Sequence, residues 1–145
     1  MPNTDYDYIV VGSGIAGFNV AMFARYHGSV LIITKGNIDD CNTRYVQGGI
    51  AAAVGSGDSV ELHLRDTLSA GAGLCDTQAL AVLTADGAER VNNLMCWGVA
   101  FYREERAGGG PADGAETSQV ALVREGVHSM ARILHAGGDA TGMHI

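Results

Sequence analysis

The sequence predicts an α/β fold that opens with a strand, a glycine-rich turn, a helix and a second strand. The apolar run Tyr8–Val11 predicts the first strand, and Val30–Thr34 predicts the second. Between them, Ile15–Tyr26 has apolar side chains near helical spacing, and Gly28 stands where a helix would end. A strand, a helix and a strand within about thirty residues favour a parallel pair with a right-handed crossover, as in a Rossmann-like domain.

The turn between this strand and helix has the glycine spacing of a dinucleotide site. Gly12 permits a tight turn, Gly14 leaves room for a pyrophosphate, and Gly17 lets the helix pack closely. The helix N-terminus then directs N–H groups at the anion. The alternative is a glycine-rich turn in an unrelated fold, against which the ordered strands and helix argue. Lys35 follows the second strand and is either directed at the cofactor or a solvated surface lysine.

The remaining chain predicts further helices and short strands. Asp58 or Ser59 caps a helix that runs to about Ser69, and Asp76–Trp97 forms a longer helix that ends at Gly98. Short strands are predicted over residues 99–102, 120–123 and 133–135, and a surface hairpin or loop over 104–116. A last helix starts with Asp139 or Thr141 as N-cap, close to the final residue, so we expect an incomplete domain.

Composition limits the classes of function. The net charge of −7 disfavours binding to nucleic acid or an anionic membrane, and no apolar run approaches the ~20 residues that span a bilayer. The N-terminal residues lack the features of a secretory signal. The spacing of Cys41, Cys75 and Cys96 predicts reduced thiols in a cytoplasmic protein. No spacing of His, Cys or carboxylates predicts a metal site.

Several sequence segments, taken together and in order, carry a family resemblance. They read IVVGSGIAG, TKG, NTRYVQGGIAAA, DTLSAGAGLCD, LVREGVHS and RILHAGGDATG, and they extend over essentially the whole chain. With them the chain resembles the fumarate reductase/succinate dehydrogenase flavoprotein family, and within it the branch that oxidises L-aspartate. The resemblance implies that residues 1–145 are the N-terminal part of an FAD-binding domain, with the capping and C-terminal helical domains absent from this chain.

The same resemblance implies FAD as the cofactor and assigns residues to it. The pyrophosphate side is expected at Gly12, Ser13, Gly14, Ile15, Ala16 and Gly17. Lys35 is expected near the adenosine, and the flavin side at Asn42, Thr43, Arg44, Tyr45, Val46, Gln47, Gly48 and Gly49. Some relatives bond the flavin covalently to a histidine where this chain has Asn42, so we expect non-covalent FAD.

The segment Leu122–Ser129 resembles the substrate side of the family. Glu125 is thereby expected to orient the substrate by meeting its ammonium group; the alternative is a solvated loop acid paired with Arg124. His128 is either a polar wall of the site or a structural residue, and His135 is expected to be a packed strand residue. His27 and His63 lie on predicted helices and are expected to be exposed.

The implied activity is oxidation of L-aspartate to iminoaspartate, with oxygen giving hydrogen peroxide or with fumarate as acceptor. This is the first step of de novo NAD biosynthesis, with a possible functional link to quinolinate synthase. The family's main catalytic arginines and histidines are expected outside this chain, so we expect residues 1–145 alone to be inactive. The alternatives are a fumarate reductase/succinate dehydrogenase-type subunit, a non-catalytic FAD- or ADP-binding module, and an NAD-dependent dehydrogenase.

Overall fold

The computed structural model describes residues 5–104 and 119–145. Its strands are β1 (Tyr8–Val11), β2 (Val30–Ile33), β3 (Ile50–Ala51) and β4 (Ile133–Leu134). Its α-helices are α1 (Ile15–Ala24), α2 (Val60–Ala70) and α3 (Thr77–Cys96), and short 3-10 helices occupy Asn42–Tyr45 and Thr141–His144. Most of the loop predicted over residues 104–116 lies outside the described residues.

The first three elements form the predicted βαβ unit. Strands β1 and β2 are parallel, with Tyr8 opposite Val30 and Val11 opposite Ile33. Helix α1 ends at Ala24, two residues before the predicted end. Gly28 lies beyond the helix, at a point where an added Cβ would stand 2.6 Å from the Asp7 carboxylate. The glycine at this position is therefore explained by the close approach of Asp7 rather than by helix termination.

A second, antiparallel pair holds the apolar core of the described residues. Ile50 of β3, a strand that was not predicted, pairs with Leu134 of β4, which ends one residue before the strand predicted over residues 133–135. The buried core cluster lies between this pair and α3 and consists of Ala52, Val91, Phe101, Leu134 and Ala136. Burial of these side chains in one cluster fixes the segment after residue 130 against the segment after residue 49.

The strands predicted over residues 99–102 and 120–123 do not form. These segments instead make single bridges, between Arg103 and Val120 and between Val123 and Ile133. The Tyr102 N–H donates to the His135 carbonyl, while the Tyr102 carbonyl accepts from Ala121. Because successive residues pair with different segments, no continuous ladder develops, although the backbone is extended.

Of the two caps predicted for α2, Ser59 is the one that forms, and α3 begins one residue after its predicted start, with Asp76 as its N-cap. The Ser59 hydroxyl accepts from the Leu62 N–H at 3.2 Å, and the Asp76 carboxylate accepts from the Ala79 N–H at 2.9 Å. Gly98 follows α3 with a φ of +105°, the left-handed conformation that favours glycine after a helix. Among the described residues, no helix combines the length and apolar character needed to cross a membrane.

The predicted caps of the last helix are wrong. The 3-10 helix Thr141–His144 has Ala140 at its N-cap position and no side-chain cap. Thr141 lies inside the helix and is buried, and its hydroxyl accepts from the Ala136 N–H at 3.2 Å. That contact with the end of the β4 segment takes the hydroxyl away from a capping role, and Asp139 makes no side-chain cap either.

Candidate functional site

The glycine-rich turn packs as the spacing predicts. Gly12 has a φ of +111°, which non-glycine residues rarely adopt, and its N–H donates to the Ile33 carbonyl at 2.8 Å. A Cβ added at Gly17 would overlap the Gly12 carbonyl oxygen. The first glycine therefore makes the turn possible, and the third lets α1 lie directly on it.

An open cleft of about 580 Å³ lies beside this turn. Among the predicted cofactor residues it is lined by Gly12, Ser13, Gly14, Lys35, Asn42 and Thr43. It is also lined by residues that the sequence reasoning missed: Val11, Ile33, Thr34, Asp40 and Cys41. Position was the signal for four of them, since Val11, Thr34 and Cys41 adjoin predicted site residues and Ile33 ends β2. Asp40 has no such signal.

Two hydrogen bonds that involve hydroxyl groups join the segments around the cleft. The Thr43 Oγ1 accepts from the Ile15 N–H at 3.1 Å, which joins the loop after β2 to the N-terminus of α1. The Ser13 side chain is buried, and its Oγ lies 3.1 Å from the Thr34 Oγ1. The first helical amide and the Ser13 hydroxyl therefore already have partners within the chain. What remains for an anion here is the turn backbone and the cation of Lys35.

Side chains of the flavin-side loop are paired with nearby acids. Arg44 forms an ion pair with Asp39. The Tyr45 hydroxyl donates to the Asp40 carboxylate at 2.9 Å, and this hydrogen bond raises the pKa of Tyr45. Val46 and Gln47, which follow Tyr45, are exposed. The loop thus offers its backbone to a ligand more readily than these two paired side chains.

Glycines allow this loop to pack closely against β4 and the segment that follows it. A Cβ at Gly49 would overlap the Leu134 carbonyl, and one at Gly142 would overlap the Thr43 carbonyl. Gly48 has a φ of +85°, with nothing within 4 Å of its would-be Cβ, and its N–H donates to Asp139. Close packing on one side and open space at Gly48 on the other leave a glycine backbone accessible to a flat ligand. The role of Gly142 was not predicted.

Glu125 lies against His135. The Glu125 Oε1 is 2.8 Å from the His135 Nε2, with the Glu125 side chain 47% exposed and that of His135 12% exposed. His135 directly follows Leu134, which pairs with Ile50 in the sheet. The carboxylate is therefore held by the side chain of the residue that follows β4. The expected alternative partner, Arg124, is not the residue that Glu125 contacts.

A buried charge network, which the sequence reasoning missed, supports the same segment. Arg132 is fully buried and donates from Nε and Nη2 to the two Asp58 oxygens at 2.9 and 2.8 Å. Its Nη1 donates to the Asp66 carboxylate at 3.0 Å. Hydrogen bonds from the Ser129 N–H and hydroxyl, helped by Arg132, lower the pKa of Asp66 to about 2.

His63 is buried, which corrects the expectation that it is exposed. It is only 7% exposed, and its ring centroid lies 5.6 Å from that of His128. Helix α2 turns this side chain inward because its other faces carry polar groups. Burial lowers the pKa of His63, and the nearby Arg132 lowers it further. His128 contacts Arg132, and no group of three or more potential metal ligands occurs among the described residues.

The class of protein follows from the fold and a family comparison. Residues 7–145 match the family described as FAD binding domain. The chain therefore belongs to the FAD binding domain family, and FAD is the cofactor of this domain. Because the match begins before β1 and continues past β4, it includes the turn, the cleft and the Glu125 segment.

Curated relatives give a more particular likeness. The chain is 46% identical over 140 residues to a Streptomyces coelicolor protein named L-aspartate oxidase, covering 96% of the chain and 22% of the relative. It is 42% identical over 137 residues to the L-aspartate oxidase of Vibrio cholerae, covering 94% of the chain and 24% of the relative. The chain spans about a fifth to a quarter of the length of the curated relatives that it matches.

Solved structures confirm the predicted fold class. The Mycobacterium smegmatis Sdh1 complex in the apo form matches with a TM-score of 0.80 at 28% identity, over 96% of this chain and 22% of that one. An E. coli quinol fumarate reductase matches with a TM-score of 0.80 at 26% identity, over the same shares. The fold is thus the FAD-binding α/β fold of the fumarate reductase/succinate dehydrogenase flavoproteins.

Proposed function

We propose that the protein containing this chain oxidises L-aspartate to iminoaspartate with FAD. The acceptor is oxygen, which gives hydrogen peroxide, or fumarate. The names of the curated relatives support this reaction. The observation that carries it is the contact of the Glu125 carboxylate with His135, which directly follows Leu134, the β4 residue that pairs with Ile50. A carboxylate placed there attracts a substrate ammonium group.

The residues that line this cleft fit FAD. The cleft beside Gly12 joins the glycine-rich turn to Lys35 and the loop that begins at Asn42, as a dinucleotide with two separated ends requires. Gly12 and Gly48 both leave open space where a Cβ would be. Asn42 has no nucleophilic ring nitrogen, so we propose that FAD is held without a covalent bond. Flavin that stayed on the polypeptide after acid precipitation would argue against this.

In this proposal the residues of the chain bind FAD and orient the substrate. The turn backbone and Lys35 hold the pyrophosphate and adenosine side, and the Gly48 backbone approaches the ring system. Glu125 binds the substrate ammonium and directs the α-carbon, while the closed network around Arg132 keeps the Glu125 segment in place. When bound, FAD supplies the two-electron acceptor for the hydride of the substrate α-carbon.

A second candidate is a fumarate reductase/succinate dehydrogenase-type flavoprotein subunit, favoured by the structural match to the E. coli quinol fumarate reductase. Substrates of that class lack an amino group, so Glu125 would have no ligand there. Placement in de novo NAD biosynthesis, a link to quinolinate synthase and a cytoplasmic location stay predictions. So does the assignment of residues 1–145 to the N-terminal part of the FAD-binding domain.

The test compares substrates and one substitution. We would express the protein from its natural reading frame, add FAD and oxygen, and measure peroxide released from L-aspartate and from succinate. Glu125→Gln is the variant, because it keeps the size of the side chain and removes its charge. We expect peroxide from L-aspartate alone and about a tenfold or larger loss of kcat/KM in the variant. Turnover of succinate instead would select the second candidate.

Residues 1–145 by themselves provide a further arm of the same experiment. We expect them to release no peroxide from L-aspartate, since the described site holds one substrate-facing charge and a dicarboxylate needs cations. Detectable turnover by residues 1–145 would contradict this part of the proposal.

A further inference from the structure

Glu125 is the least constrained member of the candidate substrate site. It lies in a loop of exposed residues next to Gly126, which has a φ of +56°. A half-exposed glutamate on such a loop has several accessible rotamers, and fixing one of them costs conformational entropy when a ligand binds. Its placement therefore depends on a neighbour that is itself fixed.

His135 is such a neighbour. It stands between Leu134 and Ala136, both of which are buried in the core cluster. Its carbonyl accepts from the Tyr102 N–H at 2.9 Å, which ties the backbone to a third segment. The imidazole has little exposed surface, and the contact that its Nε2 makes with Glu125 is 2.8 Å long. The backbone on either side of His135 is thus held by the core, and the ring contacts the Glu125 carboxylate.

The other basic side chains near the loop are either engaged elsewhere or, like the exposed Arg124, make no hydrogen bond or ion pair with Glu125 within the described residues. The Arg132 guanidinium is shared between Asp58 and Asp66, and His128 lies 3.3 Å from the same guanidinium. Among the described residues, His135 is therefore the side chain whose polar contact fixes Glu125. Because it engages Oε1, the second carboxylate oxygen is left to accept from a ligand.

We propose that His135 is a positioning residue that holds Glu125 ready for a substrate ammonium group, so that the pair sets the preference for an amino-dicarboxylate over a dicarboxylate without an amine. The inference rests on the proposed function and deepens it. His135 does not touch the substrate; it acts by fixing one oxygen of Glu125 and thereby the direction of the other. Preorganisation of this kind raises the affinity for a ligand that donates to the second oxygen and leaves the affinity for other ligands unchanged.

The test uses the FAD-loaded protein expressed from its natural reading frame. His135→Phe keeps a flat ring and removes the donor, and His135→Gln keeps an N–H donor. His27→Phe is the matched control, the same chemical change at an exposed residue outside the site. The measurements are kcat and KM for L-aspartate, and the dissociation constant of succinate from the change it causes in flavin absorbance.

We expect His135→Phe to raise KM for L-aspartate about tenfold, with kcat and the succinate constant within about twofold of wild type. His135→Gln should recover most of the loss, and His27→Phe should match wild type. Because both residues act through one contact, Glu125→Gln combined with His135→Phe should be no worse than Glu125→Gln alone.

Several results would overturn the inference. An unchanged KM in His135→Phe, an equal weakening of succinate, or losses that multiply in the double variant would each show that His135 does not act through Glu125. If wild type has no preference for L-aspartate over succinate, the proposed function fails and the inference fails with it. The wild-type arm contains no substitution, so these two kinds of failure are distinguishable.

Discussion

Arg132 illustrates at the scale of one residue how a buried charge specifies local structure. It is fully buried and joins the N-terminal end and the middle of α2, through Asp58 and Asp66, to the segment that leads into β4. Buried ion pairs of this kind add little net stability over an apolar replacement of the whole set, but removal of one partner leaves the others as uncompensated charges. The network therefore fixes which segments meet.

The first residue-scale prediction is that Arg132→Met destabilises the protein strongly. Two carboxylates would be left buried near each other, and loss of one partner of a buried pair costs about 3–5 kcal/mol. The measurement is the free energy of unfolding in urea. Arg90→Met is the matched control, because Arg90 pairs with Asp86 and Glu89 on an exposed face, where a pair is worth about 0–1 kcal/mol. Equal losses in both variants would contradict the proposed role of burial.

The lowered pKa of Asp66 predicts that the free energy of unfolding depends on pH in the acid range. Hydrogen bonds from Ser129, with Arg132 nearby, lower its pKa to about 2 in the folded protein, against about 4 in an unfolded chain. A lowered folded-state pKa means that the contribution is fully present above about pH 4 and is lost as pH falls toward 2.

The corresponding measurement is the urea midpoint between pH 6 and pH 2 at about unit intervals. We expect the decline over the acid range to be shallower in Asp66→Asn than in wild type, because the variant has no proton to bind there. Asp86→Asn, on the exposed pair with Arg90, should keep the wild-type slope. Parallel curves for Asp66→Asn and wild type would show that Asp66 is not the group that titrates.

At the scale of the element, α1 is positioned by contacts at its N-terminal end rather than by an amphipathic face. Gly17 lies against the Gly12 carbonyl, and the Ile15 N–H donates to Thr43. These two contacts tie the helix to the turn before it and to the loop after β2. Both segments line the open cleft, so the position of the helix and the shape of the candidate cofactor site are set by the same atoms.

Gly17→Ala should therefore affect both folding and cofactor binding. The added Cβ would overlap the Gly12 carbonyl and push the helix from the turn, and overpacking of this kind costs about 1–3 kcal/mol. We expect FAD affinity, measured by quenching of flavin fluorescence, to fall by at least about tenfold. Gly36→Ala is the control, because its Cβ would meet Asp40 at an ordinary 3.5 Å. Normal FAD binding in Gly17→Ala would contradict this packing argument.

For the whole molecule, the distribution of apolar surface separates the two halves of the described chain. The pair β3–β4 and α3 share a buried cluster, whereas the β1–α1 unit leaves large apolar side chains exposed, with Val11 82% exposed. The exposed set in that unit includes Tyr8, Ile9, Val11, Ile15, Phe18, Val20 and Phe23. Exposed large apolar side chains in this number favour association.

Residues 1–145 should therefore self-associate when studied alone. We expect sedimentation velocity to show species that grow with protein concentration, because the β1–α1 unit offers an apolar surface to a second copy. Val20→Lys places a charge within that surface and should reduce association. Leu74→Lys, at an exposed leucine outside the unit, should not. A monomer at all concentrations would contradict the prediction.

The family resemblance, which extends over essentially the whole chain, gave the FAD-binding class. Local sequence alone predicted the βαβ unit, the glycine-rich turn and Ser59 as one of two possible caps. These features depend on signals within a few residues: apolar periodicity, glycine spacing and short polar caps. Which residues meet across the chain was decided by tertiary structure. The Thr141 hydroxyl accepts from the Ala136 N–H instead of capping a helix, and His63 is buried instead of exposed. The Glu125 carboxylate contacts His135 and not Arg124. Such contacts join residues whose spacing along the chain carries no periodic signal, so their partners are fixed when the core closes around Leu134 and Arg132.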